Sequence, residues 1–498
     1  MNVNPITRLD YPDLDVIRVE DTYYMVSTTM HFMPGCEILQ SFDLVHWEHV
    51  TYVYETLDHT DAQQLKSGQN IYGQGMWAAS LRYHEGRFYI CFVANDTRKT
   101  YLYTSEKIDG PWKKQLIEGF YHDGSLLFDE DGRNYIVYGN DEIWITELNE
   151  DLTAPKKDGL HRLLVSDHKN PELGYEGSHI QKINGYYYIF LVHSLRDRWM
   201  RTEACFYSDS LEGEFTGGDV LCDDRGYCGQ GVAQGGIVDT PDGKWYAMLF
   251  QDSGAVGRIP ILLPVTWKDH FPFFGQNGHV PEEIEVHSTR PGYIYQPLVG
   301  SDDFCNGLLP RWQFNHDPDP RYYHLDALQG TYTITTREVC TELTQAVNTL
   351  TQRMSYPSCA AEVTVDASAL KEGDVAGLCA LQSCYAAVGI TKHHGKYEVL
   401  MLDKKEDGIL DMTEGTVVES HQMDFRLEAD FCNMKDEARC YYRVNKGDWL
   451  PIGNVHKLYF KLDHFTGCRF GLFCYAAEKT GGSACFRDFK YYDVDEIS

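Results

Sequence analysis

The chain has 498 residues, with 74 acidic and 44 basic side chains and a formal net charge of −30. One hydrophobic core rarely serves so long a chain, so two domains are expected. The negative charge would repel a polyanion, which argues against nucleic acid as a partner and favours a neutral substrate. Aromatic residues make up 13% of the chain, a content that suits sheets and sugar-facing surfaces.

The N-terminal segment, residues 1–6, lacks the basic and apolar regions of a secretory signal, and no apolar run is long enough to span a bilayer. We therefore expect a cytoplasmic protein with no membrane partner. The 15 cysteines are odd in number, scattered and without a CxxC pair. This pattern favours reduced thiols over zinc or redox chemistry.

Five short segments between residues 20 and 247 share one signature, a polar turn followed by an aromatic strand. The clearest is the Asn184-Gly185 turn before the run Tyr186–Val192. Turn residues next to aromatic and β-branched runs are typical of hairpins. Radial repetition of such units predicts a five-bladed β-propeller. The equivalent tyrosines are Tyr24, Tyr89, Tyr135, Tyr188 and Tyr246.

Upstream of each tyrosine, at an almost constant distance of eleven or twelve residues, lies a side chain suited to sugar chemistry. In a propeller blade this position is the start of the preceding strand. Repetition around one axis would then bring three carboxylates, an indole and an amide together. The five residues are Asp13, Trp77, Asp123, Glu176 and Gln234.

The repeats end near residues 267–272, and the chain from about 278 to 300 is irregular and contains three prolines. A second all-β region begins at Asp302. Its regular alternation over some 200 residues predicts an antiparallel sandwich. We therefore expect a propeller domain over residues 1–298 and a β-sandwich over residues 299–498. The alternating runs are Thr331–Thr335, Ala361–Val365, Tyr397–Leu402 and Arg469–Phe473.

Three segments, Tyr11–Arg18, His122–Leu126 and Tyr175–Ile180, resemble the catalytic signatures of glycoside hydrolase family 43. The resemblance continues through Met76–Ala78, Gly254–Arg258 and the C-terminal region, so it covers essentially the whole chain. It implies a five-bladed propeller with an inverting exo-hydrolase site, fused to a concanavalin-like, jelly-roll sandwich. Members of this type act as β-xylosidases, α-L-arabinofuranosidases or enzymes that release either pentose.

By this resemblance Asp13 is the general base and Glu176 the general acid. Asp123 is implied to orient Glu176 and to tune its protonation. Inverting hydrolysis needs an acid and a base roughly 6.5 to 9.5 Å apart, and groups on different blades of a funnel meet that requirement. Each carboxylate taken alone is typical of a turn or a solvated loop. Their coincidence at one repeat position favours catalysis.

Substrate contacts are expected from five further residues. Trp77 is either core filler or a surface on which a sugar ring stacks. Arg258 either balances local charge or hydrogen-bonds pentose hydroxyls, as the family resemblance implies. Met30, His31 and Phe32 either pack within their loop or form a hydrophobic wall that narrows the funnel to a pocket. A pocket closed on one side recognises chain ends, so exo action follows from the second alternative.

Gln234, also expected to contact substrate, departs from the family, in which many members place a histidine that organises a calcium ion or water. A channel calcium is therefore in doubt, and a water or monovalent ion is the alternative. Oxygen ligands suit calcium, so Asp303 and Asp488 form a candidate structural site. The reaction itself requires no cofactor. Leu14 and Gly124 stand where proline is usual, and neither change removes a reacting group.

Other functions compete with this hypothesis. A retaining fructan-cleaving enzyme would need an Asn-Asp-Pro type motif near the start, which Tyr11–Leu14 does not supply. A WD scaffold would show its own blade dipeptides, and the sequence lacks them. An endo-arabinanase would require an open groove and normally lacks the sandwich. A catalytically silent carbohydrate-binding protein is the non-enzyme alternative. We therefore predict an exo-acting pentosidase for β-D-xylose or α-L-arabinofuranose, with its oligomeric state, monomer or homo-oligomer, left open.

Overall fold

The computed structural model describes residues 3–413 and 415–493, and the N-terminal part of the chain forms five four-stranded antiparallel sheets. These are the five predicted blades. In chain order the strands up to the second blade are β1 (Asp15–Val19), β2 (Thr22–Ser27), β3 (Phe32–Met33), β4 (Gly35–Ser41), β5 (Glu48–Tyr54), β6 (Met76–His84), β7 (Arg87–Ala94), β8 (Lys99–Ser105) and β9 (Lys113–Ile117), of which β3 lies outside the blades.

The other three blades take four consecutive strands each. The third contains β10 (Ser125–Phe128), β11 (Asn134–Asn140), β12 (Glu142–Leu148) and β13 (His161–Ser166). The fourth contains β14 (Glu176–Ile183), β15 (Tyr186–Ser194), β16 (Arg201–Ser208) and β17 (Thr216–Leu221). The fifth contains β18 (Val232–Asp239), β19 (Trp245–Asp252), β20 (Arg258–Lys268) and β21 (Phe271–Phe274).

The turn between the first two strands of each blade explains the repeat seen in the sequence. In the fourth blade Asn184 and Gly185 have φ of 50° and 84°. Positive φ at both central residues is what a type I′ hairpin requires, and Asn-Gly is the preferred pair for it. The equivalent tyrosines all lie on the second strand of their blades, where Tyr188 pairs with Gln181 on the first.

The first strands of the blades surround a polar channel. Arg82, on the second blade, donates to the Asp15 carboxylate of the first blade at 2.6 Å and to the Ser125 hydroxyl of the third at 2.7 Å. It also donates to the carbonyl of Ile180 on the fourth blade at 3.2 Å. Despite burial of the carboxyl group, Arg82 and His179 lower the pKa of Asp15 to about 2. This ion-paired network fixes four blades around the axis.

Residues before β1 close the propeller ring. The side chain of Asn4 donates to the carbonyl of Leu262 on β20 at 2.7 Å and accepts from its amide at 2.9 Å. The amide of Ile6 donates to the carbonyl of Pro260 at 2.9 Å. The start of the chain is therefore bonded to the last blade.

The C-terminal part of the chain forms a sandwich of two antiparallel sheets. Its strands are β22 (Gln313–Asn315), β23 (Tyr323–Asp326), β24 (Thr331–Thr335), β25 (Leu350–Arg353), β26 (Ser358–Asp366), β27 (Asp374–Leu381), β28 (Ala386–His393), β29 (Lys396–Lys404), β30 (Leu410–Met412), β31 (Thr416–Val418), β32 (Gln422–Asp430), β33 (Glu437–Val444), β34 (Leu450–Lys457), β35 (Arg469–Ala476) and β36 (Ser483–Asp493).

The nine-stranded sheet has the order β3-β22-β25-β35-β27-β28-β29-β30, with β31 also paired to β29. The seven-stranded sheet has the order β23-β24-β36-β26-β32-β33-β34. Side chains from both sheets, such as Leu378 and Phe425, are fully buried in one core. The predicted all-β architecture, a five-bladed propeller followed by a concanavalin-like sandwich, is confirmed.

The propeller supplies one edge strand of the sandwich, because β3 pairs with β22 through Met33 and Phe314. A buried ion pair reinforces the contact: Arg353 of the sandwich lies 2.8 Å from Glu37 of the first blade. The predicted domain boundary at residue 298 falls in the irregular segment between β21 and β22. The two domains therefore share backbone hydrogen bonds as well as side-chain contacts.

Within the described residues the helical segments are four short 3₁₀ turns, Lys66–Gly68, Gly254–Val256, Leu343–Gln345 and Cys432–Met434. Accordingly, this part of the chain contains no helix with the length and hydrophobicity needed to cross a membrane. All 15 cysteines lie in the described ranges as free thiols.

Candidate active site

The five repeat positions fall at the starts of the first strands, at one end of the channel. Asp13 and Asp123 precede β1 and β10 by two residues, and Glu176 is the first residue of β14. Asp13, Asp123 and Gln234 have φ of 52°, 48° and 66°. This left-handed region is uncommon for residues other than glycine, and such conformations concentrate at functional sites. Three blades therefore share one unusual backbone geometry at this position.

Asp13 is held by two side chains. Arg258, at the start of β20, lies 3.0 Å from its Oδ1, and Thr28 donates a hydrogen bond to Oδ2 at 2.8 Å. Arg258 is almost fully buried, at 1% exposure. An Arg guanidinium compensates the charge of a buried carboxylate and fixes its orientation. Asp13 is thus a rigidly placed, ion-paired carboxylate.

Glu176 has a different environment. Asn140 on the third blade donates to its Oε2 at 2.8 Å, and 18% of its side chain is exposed. The next amide in the chain, that of Gly177, donates to Oδ2 of Asp123 at 3.0 Å. Gly177 has a φ of 67°, and a Cβ there would lie 2.8 Å from the Cγ of Gln234. Only glycine fits between Glu176 and the next blade.

His122 lies between two of the carboxylates, a position that sequence reasoning did not assign to it. Its Nε2 is 3.5 Å from Asp123 and 3.6 Å from Glu176. The Asp123 charge, against the effect of burial, raises the pKa of His122 to about 9. Burial, reinforced by Glu176 and Asp13 and opposed by His122, raises the pKa of Asp123. At neutral pH the site therefore contains an imidazolium among its carboxylates.

Three side chains of the site are also potential metal ligands. His122, Asp123 and Glu176 are, among the described residues, the one group of three whose ligand atoms lie within 4.8 Å of one another. In this structure the three side chains form an ion-paired cluster around the imidazole of His122. Asp303 and Asp488 belong to no such group. A structural calcium ion at Asp303 and Asp488 stays a prediction, as does a water or monovalent ion in place of calcium in the channel.

A loop of the sandwich, residues 459–467, forms part of the wall of the site. The Phe465 ring lies 5.5 Å from the Trp77 ring and 4.3 Å from the guanidinium carbon of Arg258. The loop is fixed to the propeller because the amide of Gly467 donates to Asp10 at 2.8 Å. The sequence does not predict the position of Phe465, because nothing in the local pattern indicates that a loop 191 residues beyond Phe274, the end of the last blade, returns to the propeller. The sandwich therefore contributes directly to the pocket.

The three residues of the predicted hydrophobic wall have separate locations. Met30 exchanges two backbone hydrogen bonds of 3.1 Å with Met76, next to Trp77. Phe32 is buried beneath Arg469 of the sandwich, whose guanidinium carbon lies 3.5 Å from its ring centre. His31 is fully buried in an aromatic cluster at the domain interface, formed with Phe32, Tyr72, His316 and His464. Met30 therefore lies beside the pocket, whereas His31 and Phe32 contact residues of the domain interface.

The backbone of Gln234 is hydrogen-bonded to one oxygen of a buried carboxyl group, that of Glu203. The backbone amide of Gln234 donates to Oε2 of Glu203 at 2.7 Å, and Glu203 has no exposed surface. Burial raises the pKa of Glu203 well above its usual range, so this side chain is neutral. The strand register relates Glu203 to the site, because Glu203 pairs with Val192 and Val192 pairs with Glu176. A protonated carboxyl group thus lies in the same sheet as Glu176, two strands away from it.

Comparison with known proteins agrees with this geometry. Residues 3–272 match the model of "Glycosyl hydrolases family 43", and residues 301–492 match "Beta xylosidase C-terminal Concanavalin A-like domain". A propeller whose carboxylates converge at one end of the channel is here the fold of a glycosidase. The chain belongs to glycosyl hydrolases family 43.

Curated relatives carry two activity names. A beta-xylosidase of Formosa agariphila is 26% identical over 99% of this chain and 89% of its own length. A non-reducing end alpha-L-arabinofuranosidase of Bacteroides ovatus is 24% identical over 82% of this chain and 79% of its own. A solved bifunctional GH43-CE protein of Bacteroides eggerthii is 42% identical, with a TM-score of 0.92 over 98% of this chain. The present chain spans 63% of that protein.

Proposed function

We propose that this glycosidase acts from chain ends, with inversion, and releases a terminal β-D-xylose or α-L-arabinofuranose from xylo-oligosaccharides or arabinoxylan fragments. The observation that carries the proposal is the pair of carboxylates held in opposite ways. Asp13 is paired directly with the buried Arg258 at 3.0 Å, whereas the more exposed Glu176 accepts a hydrogen bond from Asn140 and lies 3.6 Å from His122. Carboxylates in different environments take different roles in acid and base catalysis.

In the proposed mechanism Glu176 gives its proton to the glycosidic oxygen as the bond from that oxygen to the anomeric carbon breaks. Asp13 takes a proton from a water molecule whose oxygen bonds to the same carbon from the opposite face. Asp123 acts as a positioning residue, because its Oδ2 accepts the amide of Gly177, next to the acid. This chemistry uses carboxylates and water, so we propose no cofactor for it.

Exo action is supported by the wall around the pocket. Trp77 and Phe465 lie on one side, and Phe465 comes from a loop that is bonded to the propeller through Gly467. An endo-acting enzyme needs a groove open at both ends, which such a loop would obstruct. The indole nitrogen of Trp77 is buried without a partner among the described residues. A buried donor of this kind would be satisfied by a sugar hydroxyl.

Initial rates on 4-nitrophenyl β-D-xylopyranoside and 4-nitrophenyl α-L-arabinofuranoside, measured side by side, test this function. The Asp13→Ala variant supplies the blank, because it removes the proposed activation of water, which every leaving group requires. We expect cleavage of at least one substrate well above the blank, and the preferred one identifies the pentose. Cleavage of neither would reject the exo-pentosidase and leave another linkage or a silent carbohydrate-binding protein.

A further inference from the structure

The fourth blade, which supplies the acid, also carries an exposed tryptophan at the same end of the propeller. Trp199 lies in the loop between β15 and β16, and 43% of its surface is exposed. β15 runs antiparallel to β14, so its last residue, Ser194, is at the end where β14 begins with Glu176. Exposed tryptophans beside a catalytic site are candidates for ligand contact, because an indole offers a flat apolar face with one donor.

Beneath Trp199 lies a guanidinium with unused hydrogen-bonding capacity. The guanidinium carbon of Arg201 is 5.3 Å from the Trp199 ring, and its side chain is only 7% exposed. Its Nε donates to Asp252 at 2.8 Å. Its Nη1 is buried and has no partner among the described residues. Buried donors are nearly always paired, so this one calls for an acceptor from outside the chain.

The strand register places Arg201 on the same face of the blade as the acid. Glu176 pairs with Val192, and Val192 pairs with Glu203 on β16. Directly paired residues share a face, and residues two apart on a strand share it as well. Arg201 is two residues before Glu203. It therefore belongs to the face that carries the Glu176 side chain.

Arg201 is also the counterpart of Arg258 across one aromatic ring. Their guanidinium carbons lie 5.3 Å and 5.4 Å from the centre of the Phe250 ring. Arg258 is ion-paired to Asp13, the proposed base, whereas Arg201 belongs to the blade of Glu176, the proposed acid. The site therefore has a guanidinium on each side. Only the one beside the base is occupied by a catalytic carboxylate.

We infer that Trp199 and Arg201 bind the sugar unit that leaves, the one on the far side of the scissile bond from the released pentose. The general acid protonates the leaving oxygen, so the leaving sugar lies on the acid's side of the pocket. There the Trp199 indole packs against the C–H face of a neutral pyranose ring, and Nη1 of Arg201 donates to one of its hydroxyls. The inference rests on the proposed function and adds a binding site for the leaving group to it.

The test compares two substrates that share the pentose the wild type prefers, one a disaccharide and the other the glycosyl fluoride. Fluoride has no ring to occupy the leaving-group site. In Trp199→Ala the ratio of kcat/KM on the disaccharide to kcat/KM on the fluoride should fall about tenfold, the size of a lost aromatic contact. Tyr83→Ala is the matched control, because Tyr83 is 45% exposed and lines a cavity at the opposite end of the channel. Its ratio should equal that of the wild type.

Arg201→Lys is the second variant. Lysine keeps the positive charge beside Asp252 but lacks the planar fork that would reach a second acceptor, so the ratio should again fall. Thermal unfolding checks that the variant folds. An unchanged ratio in Trp199→Ala, with the wild type active on both substrates, would overturn the inference while the proposed function stands. Absence of wild-type activity on both substrates would instead reject the function itself. If Arg201→Lys fails to fold, Trp199→Ala alone decides.

Discussion

The guanidinium carbon of Arg258, on the propeller, lies 4.3 Å from the centre of the Phe465 ring, on the sandwich. The backbone carbonyl of Phe465 also accepts from Nη2 of the same arginine at 3.4 Å. Arg258 in turn binds Asp13, so a residue of the second domain lies one contact away from the proposed base. The two domains therefore build one site.

Phe465→Ala should lower kcat/KM by about tenfold, because it removes a cation–π contact and one wall of the pocket. The measurement is the initial rate on the preferred aryl pentoside. Leu462→Ala is the control, since Leu462 lies on the same loop and is 76% exposed. Wild-type kcat/KM in Phe465→Ala would mean that the sandwich takes no part in catalysis.

The proposed acid and base should respond differently to the leaving group. Glu176→Ala should lose about a thousandfold in kcat on a disaccharide but far less on a 2,4-dinitrophenyl pentoside, which departs without a proton. Asp13→Ala should lose activity on both substrates, because water still has to be activated.

Asp239→Asn is the control for Glu176→Ala and Asp13→Ala, and it should keep wild-type activity on both substrates. Asp239 lines the cavity at the opposite end of the channel, where it pairs with Arg18. Equal losses of Glu176→Ala on both substrates, or an active Asp13→Ala, would reverse or remove the assigned roles.

The stabilisation of the fold by His122 should be lost as the pH becomes alkaline. Its pKa is about 9 in the folded protein, above the usual 6.5. A histidine with a raised pKa stabilises the fold fully below the unfolded value, and this contribution is lost as the pH rises from about 6.5 through about 9. The difference in Tm between the wild type and His122→Asn should therefore shrink over that range. A constant difference between pH 6 and pH 9.5 would contradict the ion-pair description.

The histidine cluster at the domain interface should have the opposite dependence. Burial lowers the pKa of His464 to about 3, and those of His31 and His316 fall well below the usual value. A histidine with a lowered pKa contributes stability above about 6.5 that is lost as the pH falls.

His464→Phe keeps the stacking on Tyr72, whose ring lies 4.0 Å away, and removes one titrating group. The drop in Tm between pH 7 and pH 5 should be smaller in this variant than in the wild type. Parallel Tm curves for the two proteins would exclude a role for His464 in acid sensitivity.

Local pattern sufficed to predict most of the fold. The hairpin turns and aromatic strands repeat with a near-constant spacing, and the run Thr331–Thr335 is a strand with those bounds. The repeat position likewise indicated that Asp13, Asp123 and Glu176 converge. Each of these inferences depends on residues that lie close together in the sequence or on strict repetition.

What the sequence did not reveal are contacts between segments far apart in the chain. Phe465 reaches the pocket from the second domain, and Arg201 shares a face with Glu176 through pairing across three strands. His122 precedes Asp123 in the segment His122–Leu126, but its role depends on its distance to Glu176. No local periodicity encodes such distances.

The anomeric configuration of the first product distinguishes an inverting from a retaining mechanism. Proton NMR of a freshly started reaction on the preferred β-xyloside or α-arabinofuranoside resolves the two anomers of the released pentose before they equilibrate. If the mechanism is inverting, the anomer opposite to that of the substrate appears first, as α-xylose from a β-xyloside, because Asp13 activates water instead of bonding to the sugar. Initial appearance of the same anomer as in the substrate would contradict it and make one carboxylate a nucleophile.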